Sequence, residues 1–113
     1  MDQGDLASRH CRACDGGMPA LSADSANGLL GSLQGWQRAA KGIERCFAFR
    51  NHLEAMAFAN AVAWMAHREN HHPEMTIGYN EVRVRYWTHT VDGLTENDFI
   101  CAAKIEKLID FSG

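Results

Sequence analysis

The stretch NHLEAMAFANAVAWMAH, residues 51–67, constrains the fold more than any other part of the chain. Asn51 with Glu54 three residues later is a capping-box start for a helix. Leu53, Met56, Ala57, Asn60 and Trp64 then trace one helical stripe, and Phe58, Ala61, Val62 and Met65 widen it. Apolar residues therefore cover more of the circumference than one sheet contact requires. Such a helix is expected to bury two sides, the second against another subunit. Pro73 is expected to close the helical region, because the residue before a proline is pushed away from helical geometry.

Segments of shorter period flank this helix on both sides. From Trp36 to Phe49 a hairpin is expected, turning at Lys41-Gly42, with Ile43, Arg45, Phe47 and Phe49 on one face and Arg45 near the rim. Glu74–Tyr79 and Glu81–His89 make a second hairpin turning near Tyr79-Asn80. In its second strand Val82, Val84 and Tyr86 face one way, and Arg83, Arg85, Trp87 and His89 the other. A short helix capped by Ser22 carries Leu29, Leu30 and Leu33 and ends before Gly35. A last helix, capped by Thr95 with Asp98, carries Phe99, Ile100, Ala103, Ile105, Leu108 and Ile109. The order α-β-β-α-β-β-α predicts a two-layer α+β domain: a four-stranded antiparallel sheet with helices on one face. Gly16-Gly17 and Pro19 interrupt any periodicity before that, so residues 1–20 are expected to form a flexible leader and 21–113 the domain.

A chain of 113 residues suits one domain, and its 46% hydrophobic and 22% charged residues suit a globular one. The net charge of −3, without a basic run, gives no support for charge-driven binding to nucleic acid. No stretch approaches the roughly 18 apolar residues of a membrane span, and the N-terminus lacks the apolar core of a secretory signal. A cytoplasmic location is the expectation. Cys46 and Cys101 lie in apolar-patterned segments and are expected to pack as small hydrophobes. Cys11-x2-Cys14 is half of a tetrahedral metal set, and its plainer reading is part of a flexible leader.

The chain has six histidines, four of which the topology can bring to one sheet edge: His67, His71, His72 and His89. Three chemistries are open to them. Solvated surface histidines near a helix C-terminus need no function. His67 and His71 have the i,i+4 spacing of some zinc helices with His89 as a third ligand, although the intervening glutamate of such motifs is missing. Metal-free imidazoles can instead transfer protons near neutral pH. No nucleophile elbow and no glycine-rich phosphate loop competes with them.

His71-His72-Pro73, Tyr79 six residues after Pro73, His89 ten further on and Asp98 nine after that resemble the signature of the pterin-4a-carbinolamine dehydratases. Gly35-Trp36-Gln37, Phe49-Arg50-Asn51, Trp87-Thr88-His89, Gly93-Leu94-Thr95 and Asn97-Asp98-Phe99 resemble the same family, so the likeness spans about residues 20–110. The Cys-x2-Cys leader resembles that of bacterial members associated with phenylalanine hydroxylase.

The resemblance implies dehydration of 4a-hydroxytetrahydropterin to quinonoid dihydropterin, in tetrahydrobiopterin recycling, without metal or organic cofactor. By position it implies acid–base roles for His71 and His89 and a substrate-holding role for His72. Trp87, Thr88 and Thr90 would line the pocket, with Asp98 close by. Asn70 and His67 stand where the family commonly has acidic residues. The family's members form dimers or tetramers, and a link to an aromatic amino acid hydroxylase is implied. Animal members also serve as dimerisation cofactors of a transcription factor, so a non-catalytic binding module of the same fold is the alternative.

Overall fold

The computed structural model describes residues 3–12 and 19–109. In chain order its elements are α1 (Gln3–Ala7), α2 (Ala23–Leu30), β1 (Gln37–Ala39), β2 (Gly42–Ala48), α3 (His52–Glu69), β3 (Glu74–Ile77), β4 (Glu81–Tyr86) and α4 (Glu96–Ile109). A single 3-10 turn, His89–Val91, lies between β4 and α4. The strands form one antiparallel sheet in the order β1-β2-β4-β3, with the helices on one side. This is the expected two-layer α+β domain.

Local chemistry starts and stops these elements. The Ser22 hydroxyl accepts the Ser25 N–H at 3.1 Å and opens α2, which ends at Leu30, so the buried Leu33 lies beyond it. Asn51 Oδ1 accepts the Glu54 N–H at 2.9 Å to open α3, while the Glu54 carboxylate reaches back to the Arg50 N–H. Gly42 begins β2 because a side chain there would collide with the Tyr86 carbonyl oxygen on the neighbouring strand.

Pro73 does not end α3. Asn70 does, by taking the left-handed conformation (φ 53°, ψ 41°), and the His71 N–H then bonds the Ala66 carbonyl at 3.1 Å. The helix stops at Glu69, and His71 is delivered just past its end.

Of the wide stripe expected along α3, only the side with Phe58, Val62 and Met65 packs inward. The residues turned to the sheet and α4 are Ala55, Phe58, Ala59, Val62 and Ala66, whereas Leu53 is 78% and Trp64 65% exposed. Small alanines let α3 approach its neighbours closely, and Phe58 supplies the bulk by packing on Phe47 and Phe49 at 4.7 and 5.0 Å between ring centres. Each such phenylalanine, taken from water, contributes about 1.5–3 kcal/mol.

Arg45 does not stop at the rim. It lies opposite Val84 on the inward face of β2, and its guanidinium pairs with the buried Glu106 of α4. The Trp36 indole N–H donates to the same carboxylate at 2.7 Å, so one acid gathers the start of the first hairpin, β2 and α4.

Where residues 1–20 are described, they are tied down rather than loose. Leu6 is fully buried, and α1 lies on α4, where the Lys104 ammonium donates to the Ala7 carbonyl at 2.9 Å. The Arg9–Glu96 pair closes at 2.5 Å. The Cys11 N–H donates to Glu69 Oε1 at 2.8 Å, and His10 Nδ1 lies 3.0 Å from Glu69 Oε2. Burial opposes the charge on Glu69, but the Cys11 N–H, His10 and Lys104 outweigh it and hold this carboxyl below the ordinary value. Cys14 lies outside the described residues.

Glu106→Ala should lower the unfolding free energy by about 3 kcal/mol in denaturant titrations, because it leaves Trp36 and Arg45 without their acceptor. A carboxyl held below its ordinary pKa contributes stability that is lost as pH falls through its folded value. Thermal melts between about pH 5 and 3 should therefore show a smaller loss in Glu69→Gln than in the wild type.

Candidate active site

Three pieces of chain that are distant in sequence meet beside the C-terminus of α3. The end of α3 supplies Asn70, His71 and His72, and the segment after β4 supplies Trp87, Thr88, His89 and Thr90. The N-terminal segment supplies Cys11 and Arg12. With Glu69 they line a cleft of about 470 Å3.

His71 is the best-supported of these side chains. It is nearly buried, and its Nε2 lies 2.6 Å from Asp98 Oδ1. The other carboxylate oxygen of Asp98 accepts the Thr88 hydroxyl at 2.8 Å and the Thr95 N–H at 2.9 Å. Because Thr88 donates to Asp98, the Thr95 hydroxyl, 2.8 Å from it, donates to Thr88. Asp98 therefore accepts from every partner, and in that arrangement His71 Nε2 is its donor, which leaves Nδ1 as the imidazole's acceptor. Beneath the ring lies Tyr86, parallel within 8° at 5.3 Å between centres, and its hydroxyl donates to the His71 carbonyl at 3.0 Å. Burial, the Cys101 thiol and the Asp98 charge all push the Tyr86 phenol well above its ordinary pKa, so it stays a donor.

Asp98 holds this position by closing its own helix. Its contact with the Thr95 N–H satisfies one of the orphan donors at the start of α4. It does not line the cleft; it stands behind His71.

His72 and His89 are exposed at the mouth. The fourth strand is shorter than expected, so His89 sits in the 3-10 turn rather than on a strand end. Its ring stacks on Trp87 at 4.6 Å, and the Lys41 ammonium lies over that indole at 5.6 Å. Backbone bonds between Thr88 and Gly93 pin the turn. Thr88 is buried beside Asp98, and Thr90 is exposed at the rim.

One residue that the topology could have brought to the site is elsewhere, and the signature tyrosine lies at the hairpin turn where it was expected. His67 points away and stacks on Trp64 at 5.9 Å, so the zinc arrangement of His67, His71 and His89 does not form. Tyr79, at the tip of the second hairpin, is 70% exposed and stacks on His52. Among the described residues no group of three His, Cys, Asp or Glu side chains is spaced to hold a metal ion, and no helix is long and apolar enough to cross a membrane.

Cys11, Arg12, Glu69 and the ring platform of Tyr86 were not foreseen as parts of this region. Leu6, an apolar residue in a polar stretch, was the only local sign that the N-terminal segment docks.

Residues 19–108 match the model of the family described as pterin 4 alpha carbinolamine dehydratase. A protein of Dechloromonas aromatica, named "Putative pterin-4-alpha-carbinolamine dehydratase", is 55% identical over 106 residues, covering 94% of this chain and 95% of its own. A protein of the same name from Nitrosomonas eutropha is 55% identical over 93% of this chain and 94% of its own. A crystal structure from Brucella melitensis, described as a transcriptional coactivator/pterin dehydratase, is 34% identical. It superposes with a TM-score of 0.76 over 79% of this chain and 97% of that one. The match over most of the chain, together with the histidine-lined cleft, establishes that this chain belongs to the pterin-4a-carbinolamine dehydratase family.

Proposed function

We propose that this protein is a hydro-lyase that removes water from 4a-hydroxytetrahydropterin to give quinonoid dihydropterin, with His71, His72 and His89 as its working groups. The observation that carries the proposal is the convergence of these three imidazoles on one cleft, with one of them fixed by a buried carboxylate.

In this reaction the N5 lone pair moves toward C4a as the C4a–O bond breaks. A proton must reach the departing hydroxyl so that it leaves as water, and another must leave N5. Imidazoles suit both transfers near neutral pH. Asp98 accepts from Nε2 of His71, so the opposite nitrogen is the one available to take or return a proton. As His71 gains a proton, Asp98 stabilises the cation without moving. His89, stacked on Trp87 in the lining of the same cleft, is the second proton carrier, and His72 holds the ring. Trp87 offers a flat apolar surface to the pterin, and the exposed Asn70 and Thr90 offer polar groups at its edge, while the buried Thr88 hydroxyl is engaged with Asp98 and supports the site from behind. The chemistry calls for neither a metal nor an organic cofactor. Its substrate arises where a pterin-dependent aromatic amino acid hydroxylase oxidises its cofactor, which gives this protein a place in tetrahydrobiopterin recycling.

Self-association, as a dimer or tetramer, is part of the same proposal. Leu53 and Trp64 lie three helical turns apart on the outer side of α3, and both are largely exposed. Such a face also suits the alternative reading, a non-catalytic dimerisation or regulatory module.

Purified protein should accelerate the loss of synthetic 4a-hydroxytetrahydropterin, followed by ultraviolet absorbance, without added metal. His71→Ala combined with His89→Ala should reduce kcat by about 100-fold or more; undiminished turnover would exclude the mechanism. Asp98→Asn should cost part of that factor in kcat while leaving KM nearly unchanged, since it disturbs His71 and not the mouth of the cleft. In sedimentation velocity, Leu53→Glu with Trp64→Glu should shift the protein to a smaller species. A wild type that already sediments as a monomer would end the self-association reading.

A further inference from the structure

Two thiols meet where the N-terminal segment crosses α4. Cys11 Sγ lies 3.4 Å from Cys101 Sγ, and its S–H points to the Asn97 carbonyl at 3.7 Å. Cys101 is fully buried, whereas Cys11 is half-buried and lines the cleft. The third described thiol, Cys46, is exposed on the sheet, where it bonds Glu81, and has no part in this contact.

Bonds that involve no sulfur hold the thiols together. On one side of the Cys11 side chain, its own N–H is anchored to Glu69. On the other, the buried Asn97 side chain grips Arg12 twice, accepting the Arg12 N–H at 3.0 Å and donating to the Arg12 carbonyl at 2.7 Å. A pair clamped in this way reacts as if at very high local concentration. A disulfide needs about 2.05 Å between sulfurs, so the two thiols already stand within van der Waals contact of the bond they would form. The family match begins at residue 19, so this clamp joins the matched domain to a segment outside the match.

We infer that Cys11 and Cys101 are a modification site, at which a hydroperoxide forms a reversible intramolecular disulfide that fastens the N-terminal wall of the cleft to α4. Cys11, the accessible thiol, reacts first. Its thiolate sulfur bonds the terminal peroxide oxygen as the O–O bond breaks, leaving a sulfenic acid and releasing an alcohol or water once the departing oxygen is protonated. The Cys101 sulfur then bonds the Cys11 sulfur, the S–O bond breaks, and the hydroxyl leaves as water with the Cys101 proton. The two thiols lose two electrons and the peroxide gains them. The Cys101 hydrogen bond and burial push the Cys11 pKa well up, so the resting pair is protected from casual oxidation and reacts slowly.

The test treats the full-length wild type with hydrogen peroxide and maps its peptides without reduction. A peptide pair joined through Cys11 and Cys101, and separated again by dithiothreitol, is the expected product. The oxidised protein should melt about 5 °C higher and protect the Cys11 and Arg12 amides from hydrogen exchange. Cys11→Ser, a change at a half-buried position, should abolish both the linkage and the shift. Cys14→Ser combined with Cys46→Ser should retain both. Oxidation of Cys11 to sulfinic or sulfonic acid without a cross-link, or a Cys11–Cys14 bond in the wild type, would overturn the inference. So would an oxidised form that melts and exchanges as the reduced form does.

Discussion

The carboxylate of Asp98 is the point on which the rest of this structure depends. It is fully buried, and three different parts of the chain donate to it: the end of α3 through His71, the segment after β4 through Thr88, and the start of α4 through Thr95. A buried acid is costly unless its lone pairs are filled, and here three donors fill them. The same bonds cap a helix, fasten the segment after β4 and orient the imidazole. Stability and the geometry of the cleft are therefore not separable at this residue.

Its neighbour Asn97 performs a parallel task. Where Asp98 faces the histidine, Asn97 faces the N-terminal segment and pairs with both backbone groups of Arg12. One turn of α4 thus sets two walls of one cleft. Glu69, at the end of α3, completes the frame by accepting the Cys11 N–H beside His71. The cleft is consequently built across the contact between the domain and a segment that precedes it. This explains why Cys11 and Arg12 share its lining with the histidines.

Much of this was legible from the residues in order. The two hairpins, the cap at Asn51, the cap at Thr95 with Asp98, and the α+β order all follow from local spacing, because turns and caps are chosen by residues within a few positions of one another. The phase of α3 was not legible. With apolar residues around most of its circumference, both the Leu53–Trp64 side and the Ala55–Phe58–Val62 side satisfied the helical period, and packing chose the second. The alanines on that side allow close approach to the sheet and α4, which a periodicity of hydrophobicity does not weigh. Pro73 is the stronger helix breaker by residue type, yet Asn70, three residues earlier, ends the helix through its left-handed backbone.

The sequence by itself determined the element order from residue 21 onward and the pairing of Asp98 with its own helix, because each is a matter of short-range spacing, and the resemblance to the family singled out His71, His72 and His89. Only the tertiary structure decided that His67 turns away to Trp64, that Tyr86 lies under His71, that Arg45 reaches inward to Glu106, and that Cys11 and Arg12 complete the cleft. Each of those contacts joins groups whose meeting depends on how a helix is rotated or a segment docked. Rotation and docking are settled by total burial and by filling every buried polar group, which are properties of the whole chain and not of any window within it.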